Sequence, residues 1–286
     1  MDFGIQKLYP ESYPHGLLEM PETPEILYTV GAPLPMDGIY LTVVGSRTHT
    51  SYGADVCAKL IAGLSGTDIY IVSGLALGTD SIAHRAAIKA GLKTVAFPGS
   101  GLSERALYPA TNLSLAKEIL ATGGTLVSEF EPSFRATQWS FPRRNRLMAG
   151  IAQATLVIEA ADKSGTLITA KLALEYNKSV LSVPGPITSP TSLGTNLLIK
   201  QGAIPITRSE DILEALGLKK EMVEVPLPLD LSDEEKIVLD IISEPVSRDE
   251  LISRLSGETH EILSLLSAME LKGLIKEEYG EVRKVC

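Results

Sequence analysis

Tyr40-Leu41-Thr42-Val43-Val44-Gly45-Ser46-Arg47 opens the part of the chain that decides the fold. An unbroken apolar, β-branched run ends on a glycine and two polar residues, and Tyr52 to Leu64 follows with helical spacing. The unit then recurs. Runs at Asp68 to Val72, Lys93 to Phe97, Thr125 to Ser128, Thr155 to Ile158, Ser179 to Val183 and Ala203 to Ile206 are short and nearly continuous in hydrophobicity, with helical patterns such as Asp80 to Ala90 between them. A strand with one wet face alternates apolar and polar residues, whereas a strand covered on both faces does not. The repeat therefore predicts an α/β fold with a mostly parallel sheet and helices on both faces.

In such a sheet the loops that follow the strands gather at the carboxyl edge, where ligands bind. Here those loops are small and polar: Gly45-Ser46-Arg47, Ser73-Gly74-Leu75-Ala76-Leu77-Gly78, Pro98-Gly99-Ser100-Gly101, Ser164-Gly165-Thr166 and Pro184-Gly185. Glycines let a ligand approach the backbone and helix N-termini offer amides to an anion, so a phosphate-bearing ligand is the natural expectation. Gly45-Ser46-Arg47 does not satisfy G-x-G-x-x-G and no G-x-x-x-x-G-K-[ST] occurs, so neither dinucleotide nor P-loop triphosphate chemistry is supported. Structural turns, which any parallel α/β fold needs, are the competing account of the glycines.

A second stretch gives the expectation its sign. In Phe141-Pro142-Arg143-Arg144-Asn145-Arg146, three arginines and an amide follow an aromatic residue and a proline. Proline presets φ for a first helical turn, so Pro142 marks a helix start and the arginines fall at the positive end of the dipole. Each is disfavoured there by about 0.3 to 1 kcal/mol unless an anion arrives. The expectation is that these guanidinium groups meet Arg47 at one rim of the sheet, without acidic partners, and receive a polynucleotide backbone. A solvated basic face is the bland alternative.

The charge distribution agrees. The 286 residues carry a net charge of -9, with 44% hydrophobic and 21% charged residues, an ordinary globular mix. Residues 1–40 hold -5 and residues 230–286 hold -7, while residues 41–216 hold +3, so only the middle suits a polyanion. No apolar run is long enough for a membrane span and no signal peptide opens the chain, so a cytoplasmic location is expected. Cys57 and Cys286 are the only cysteines, which implies neither a disulfide framework nor a thiolate metal cage.

Catalytic constellations are weak. Asp80 and His84 stand four apart on one expected helix, but Asp80 after Gly78-Thr79 reads first as an N-cap. His49 lies two residues after Arg47 and reads as an unassigned loop histidine. Glu129 and Glu159 each end an expected strand, and nothing in their spacing makes them a dyad. No enzyme activity, cofactor or metal is expected.

The flanks divide the chain. Residues 1–38, rich in proline and with a short strand expected at Ile26 to Gly31, read as an N-terminal extension packed on the core of 39–216. Residues 217–229, with Pro226 and Pro228, read as a linker. In 230–286, Ser232-Asp233-Glu234-Glu235 and Ser247-Arg248-Asp249-Glu250 fit capping boxes, a helix is expected over Thr259 to Leu271, and Glu278-Tyr279-Gly280-Glu281 turns between short strands. Three helices and a hairpin make this a winged-helix-like domain; its acidity favours a packing or protein-protein role over DNA contact.

The order of Val44-Gly45-Ser46-Arg47, Ser73 to His84, Phe141 to Arg146, Ser164-Gly165-Thr166-Leu167-Ile168-Thr169 and Pro184-Gly185 resembles that of the DprA/Smf family over essentially the whole chain from about Tyr9. The F-P-x-R-N-R and S-G-T-L-I-T elements carry most of the specificity. The resemblance implies an extended Rossmann-like core, a homodimer, binding of single-stranded DNA and loading of the RecA recombinase in natural transformation. It also implies a phosphate-binding role for Arg47, Ser73, Gly74, Gly99, Phe141, Arg143, Arg144, Asn145 and Arg146, beside the loop residues Gly45, Ser46, Ser164, Gly165 and Thr166. The helical SAM-like domain that many members carry at the N-terminus has no counterpart in the sequence. The alternative from another class is a nucleotide hydrolase of the lysine-decarboxylase-like Rossmann fold, of phosphoribohydrolase type, although its paired glycines and following glutamate are missing. A purely structural adaptor is a further option.

Overall fold

A computed structural model describes residues 4–218, 231–242, 246–255, 257, 259–278 and 281–284. Most of the expected linker, Tyr279-Gly280 of the expected turn, and Cys286 lie outside these residues. The chain forms two compact units, residues 1–220 and 221–286.

The first unit runs β1 (Gln6–Leu8), α1 (His15–Leu18), β2 (Leu27–Gly31), β3 (Ile39–Val44), α2 (Ser51–Ala62), β4 (Ile69–Ser73), α3 (Thr79–Lys89) and β5 (Thr94–Ala96). It continues through α4 (Leu113–Ala121), β6 (Thr125–Ser128), α5 (Ser140–Ile151), β7 (Ala154–Val157), α6 (Gly165–Glu175), β8 (Ser179–Ser182), α7 (Leu193–Lys200), β9 (Ile204–Pro205) and α8 (Ser209–Ala215). The strands make one sheet in the order β1-β2-β6-β5-β4-β3-β7-β8-β9. From β6 through β9 all pairings are parallel; β2 joins β6, and β1 joins β2, antiparallel. Seven strands fall where the apolar runs fall and β2 where Ile26 to Gly31 suggests. Only β1, a three-residue polar edge, has no apolar signature.

The central strand shows why the runs are continuous. Tyr40 and Val44 of β3 join the core shared with Leu147 and Met148 of α5 and Ala170 and Ala173 of α6, whereas Leu41 and Val43 pack with Cys57 and Ile61 of α2 and Ala83 and Ala87 of α3. Successive side chains point to opposite faces, and both faces are covered. The one polar residue within this run, Thr42, is fully buried and donates to Met148 O at 2.6 Å.

This order places the site. From β3 the chain winds outward through β4, β5 and β6, then returns to lay β7 against the other side of β3. The loops after β3 and β7 therefore leave the sheet in opposite directions and open a crevice at their carboxyl ends, the place where doubly wound sheets take ligands.

The second unit contains α9 (Asp233–Ile241), β10 (Val246–Ser247), α10 (Arg248–Arg254), α11 (Thr259–Leu271), β11 (Ile275–Glu278) and β12 (Glu281–Lys284), with the sheet order β10-β12-β11. Val238, Leu251, Leu266, Met269 and Val282 share its own core, and the unit is a winged helix. The capping box at Ser232 and Glu235 is closed in both directions. Ser247 caps Glu250 N at 3.3 Å, while the Glu250 carboxylate reaches Arg254. Lys236, Arg248, Arg254, Lys272 and Arg283 are all ion-paired within the unit.

Candidate nucleic-acid interface

A cavity of 440 Å³ opens at the crevice between β3 and β7. The loop after β3 brings Gly45, Ser46 and Arg47 to it, and the start of α6 brings Ser164, Gly165 and Thr166. Helix α5 supplies Phe141, Pro142, Arg144, Asn145 and Met148. Apart from Pro142, in the first turn, these positions follow the i, i+3, i+4, i+7 spacing of one helical face. Arg143 and Arg146, three apart, fall on another.

That helical arithmetic corrects the expectation of three unpartnered arginines. Arg143 makes a two-pronged pair with Glu129, Nε at 3.1 Å and Nη2 at 3.0 Å. Arg146, buried, donates to the same carboxylate and to Glu22 O, which ties α5 to the N-terminal segment. Neither lines the cavity. Glu129 directly follows β6 and answers the cations that helix α5 turns toward it. The helix itself begins at Ser140, so Pro142 is its third residue rather than its first. Pro142 still belongs to the first turn, whose amides have no helical acceptor in any case.

Arg144 is buried beneath the cavity. Its Nη1 donates to Gly74 O and Phe97 O at the ends of β4 and β5, and its Nε donates to Asn145 Oδ1 at 3.0 Å. With Oδ1 so committed, the amide donors of Asn145 are the end left for a ligand. Burial pushes the Arg144 guanidinium down to about 10, opposed by Asp80, so it remains charged at neutral pH. Asp80 is the second residue of α3 and not its cap. It closes the β4–α3 loop instead, accepting from Gly74 N at 3.1 Å and Ala76 N at 3.3 Å. Burial pushes the Asp80 carboxyl up, against the pull of Arg144 and of these amides. Gly74 has no room for a side chain here: a Cβ would collide with the Arg144 guanidinium and stand 2.6 Å from Asp80 Oδ2.

Arg47 differs from the other three. It is exposed, has no acidic partner among the described residues, and lies with its guanidinium 5.1 Å from the centroid of the Phe141 ring. Phe141 is held from behind by Gly99, where a Cβ would come 2.5 Å from its Cδ1, and from the side by Tyr108 at 5.7 Å between ring centroids. Gly74 and Gly99 line a smaller cleft of 40 Å³ that shares Arg47, Phe141 and Arg144 with the cavity.

Across the crevice, Ser164 caps α6 by accepting from Thr166 N at 3.2 Å, and Thr166 Oγ1 donates to Gly45 O at 3.0 Å, bracing one loop on the other. The first turn of α6 thus aims its amides and positive dipole end at the cavity. Nothing lies within 4 Å of where a Gly165 Cβ would be.

Other sequence candidates go elsewhere. Ser73 is buried and donates to Val43 O at 2.7 Å, stitching β4 to β3, and lines neither cavity. Ser46 turns its hydroxyl back to Thr48 O at 2.9 Å. His49 is exposed and lines neither cavity. Glu159 accepts from Thr50 and Thr191, while Glu129 serves Arg143 and Arg146, so the two carboxylates share no partner. The lining residues that sequence reasoning missed are Val44, Ala76, Asp80, Pro142, Met148, Ile168 and Thr169 in the cavity, with Leu77, Tyr108 and Pro109 in the cleft. Met148 was findable from the helical face that starts at Phe141, and Ile168-Thr169 from the same spacing after Gly165.

A family model described as DNA recombination-mediator protein A matches residues 5–217, and one described as the DprA winged helix domain matches residues 223–281. The chain belongs to the DprA/Smf family. Among DprA/Smf relatives, Protein Smf of Escherichia coli is 35% identical over 96% of this chain and 76% of its own length. DNA processing protein DprA of Bacillus subtilis is 37% identical over 72% of this chain and 69% of its own. The solved structure of DprA from Streptococcus pneumoniae superposes with a TM-score of 0.68 at 34% identity, covering 74% of each chain. That of the Helicobacter pylori DprA, whose description concerns its mode of binding single-stranded DNA, gives 0.67 at 30% identity, covering 76% of this chain and 98% of the other.

Proposed function

We propose that this DprA/Smf member binds single-stranded DNA at the β3/β7 crevice and acts by binding rather than by bond chemistry. The carrying observation is the stack of Arg47 on Phe141 at the mouth of the cavity. A planar cation resting on an aromatic face presents two things at once: donors in a fork matched to phosphate oxygens, and a flat surface on which an unpaired base can continue the stack. The α6 N-terminus faces it and favours a second phosphate. Duplex bases are already stacked and hidden, so the arrangement suits single strands, and phosphates and π-faces carry little sequence information. The acids near the crevice favour binding over catalysis, because Asp80 Oδ2 and both Glu159 oxygens are engaged by backbone amides and threonine hydroxyls.

The binding of single-stranded DNA described for the H. pylori relative supports the same reading. We further propose that the bound strand is passed to the RecA recombinase during recombination or transformation, and that the chain works as a homodimer. The winged helix, in which Lys236, Arg248, Arg254, Lys272 and Arg283 are paired to acids of the same unit, we propose to have a protein-protein role. The deciding experiment is a titration of fluorescent single-stranded and duplex oligonucleotides at two salt concentrations. Tighter, salt-dependent single-strand binding supports the proposal; equal or absent binding rejects it. Light scattering reads the dimer, and the lag in DNA-dependent ATP hydrolysis by RecA on protein-coated strands reads the transfer.

A further inference from the structure

We infer that Leu77 and Tyr108 flank a second nucleobase subsite, so that the ligand of this edge is at least two consecutive nucleotides of a single strand. The inference rests on the single-strand reading and extends it to residues outside the main cavity.

Leu77 and Tyr108 stand on different loops, after β4 and after β5, and meet across the 40 Å³ cleft beside the cavity. The cleft is too shallow to enclose a base, but its rims are bare: Leu77 is 51% and Tyr108 48% exposed. Two large side chains left in water on either side of a slot, next to an exposed arginine without an acidic partner among the described residues, suit a ligand with a flat apolar body and a charged backbone.

The frame is built in advance. Asn112 Nδ2 donates to Leu75 O at 2.8 Å and Ala76 O at 3.2 Å, fixing the loop just before Leu77. Tyr108 N donates to the buried Ser100 Oγ at 3.0 Å, and its ring leans on Phe141. Walls held this way lose little freedom when a base slides between them. Arg47 and Phe141 line both the cavity and the cleft, so Arg47 sits where the phosphate joining two nucleotides has to pass.

The test uses the full chain and four variants, Tyr108→Ala, Tyr108→Phe, Leu77→Ala and Arg47→Ala, titrated against a labelled deoxythymidine 20-mer at two salt concentrations. It also compares thymidine 5′-monophosphate with the thymidine dinucleotide. Loss of one stacked base should weaken the 20-mer about 5- to 100-fold for Tyr108→Ala. The salt slope should stay that of the wild type, because no phosphate contact is removed. Tyr108→Phe keeps the ring and should bind as the wild type does. The wild type should prefer the dinucleotide, and Tyr108→Ala should lose that preference. If Tyr108→Ala and Leu77→Ala both bind within twofold of the wild type while Arg47→Ala is impaired, the subsite is overturned and the single-strand reading stands. If the wild type binds no single strand, both fall. Should Tyr108→Ala melt early, Leu77→Ala carries the test, since half of that side chain is already in solvent.

Discussion

The guanidinium of Arg47 lies over the ring of Phe141, 5.1 Å from its centroid, and of the four arginines near the crevice it alone is both exposed and without a carboxylate among the described residues. Arg47→Ala should therefore weaken single-strand binding about tenfold and flatten the salt dependence by about 0.7 per lost phosphate contact. Arg47→Lys keeps the charge but not the planar stack, so it should recover the salt slope without the full affinity. Anisotropy titrations at two ionic strengths, with circular dichroism to confirm folding, read both. Arg144→Ala should act differently, lowering the melting temperature, because Gly74 O and Phe97 O lose a buried donor.

How far the sequence could be read follows from what each feature depends on. The strands were legible because burial on both faces writes itself as an unbroken apolar run, as in Tyr40 to Val44. The crevice was legible because glycines and small polar residues follow those runs. Strand β1 was hidden, since an antiparallel edge of Gln6-Lys7-Leu8 needs no apolar pattern. The arginine cluster was misjudged for a geometric reason: adjacency in sequence is not adjacency on a helix, and 3.6 residues per turn sends Arg144 to the cavity and Arg143 with Arg146 to Glu129. The partnership with Glu129 joins a strand end to a helix face, a relation that only the tertiary fold creates.

Glu129 holds two cations at once, with side-chain exposures of 11% for itself, 10% for Arg146 and 52% for Arg143. Glu129→Gln leaves Arg146 charged in a nearly dry site and should cost about 3 kcal/mol. Arg143→Ala removes only the wetter partner and should cost less than about 1 kcal/mol. Urea denaturation of the two variants checks the order. Comparable losses would mean that the buried half of the triad is not the dominant one.

His84 gives the fold a pH dependence. Its Nδ1 lies 2.7 Å from Thr94 Oγ1, whose own proton goes to Ile71 O at 2.7 Å, so Nδ1 carries the hydrogen and Nε2 is left bare and buried without a partner among the described residues. Burial first, then Arg144, pushes the imidazole down to about 3 from an ordinary 6.5. A base whose pKa falls on folding takes up its proton in the unfolded chain first, so stability is whole above pH 6.5 and drains away as the pH drops toward 3. Between pH 7 and pH 5 the loss should be about 2 kcal/mol. Asp80, whose carboxyl is pushed up by burial, works in the opposite direction. Denaturation of wild type and His84→Gln at both pH values isolates the imidazole as the difference in slope; identical slopes would remove it as the cause.

Gly74 and Gly165 both belong to the crevice, but space is filled around one and empty around the other. Gly74→Ala would drive a methyl into the Arg144 guanidinium and the Asp80 carboxylate, groups pinned by the loop amides and carbonyls. Overpacking of that kind should cost about 1 to 3 kcal/mol and lower the melting temperature. A Cβ at position 165 meets nothing within 4 Å, and the first turn of α6 accepts a side chain, so the melting temperature of Gly165→Leu should not fall. The new side chain would instead occupy the opening over the α6 amides, where a phosphate is proposed to bind. Single-strand affinity should then fall at least about tenfold, in line with the loss of one charge-assisted contact. A Gly165→Leu protein that melts normally and still binds the strand as tightly as the wild type would show that the strand does not cross the start of α6.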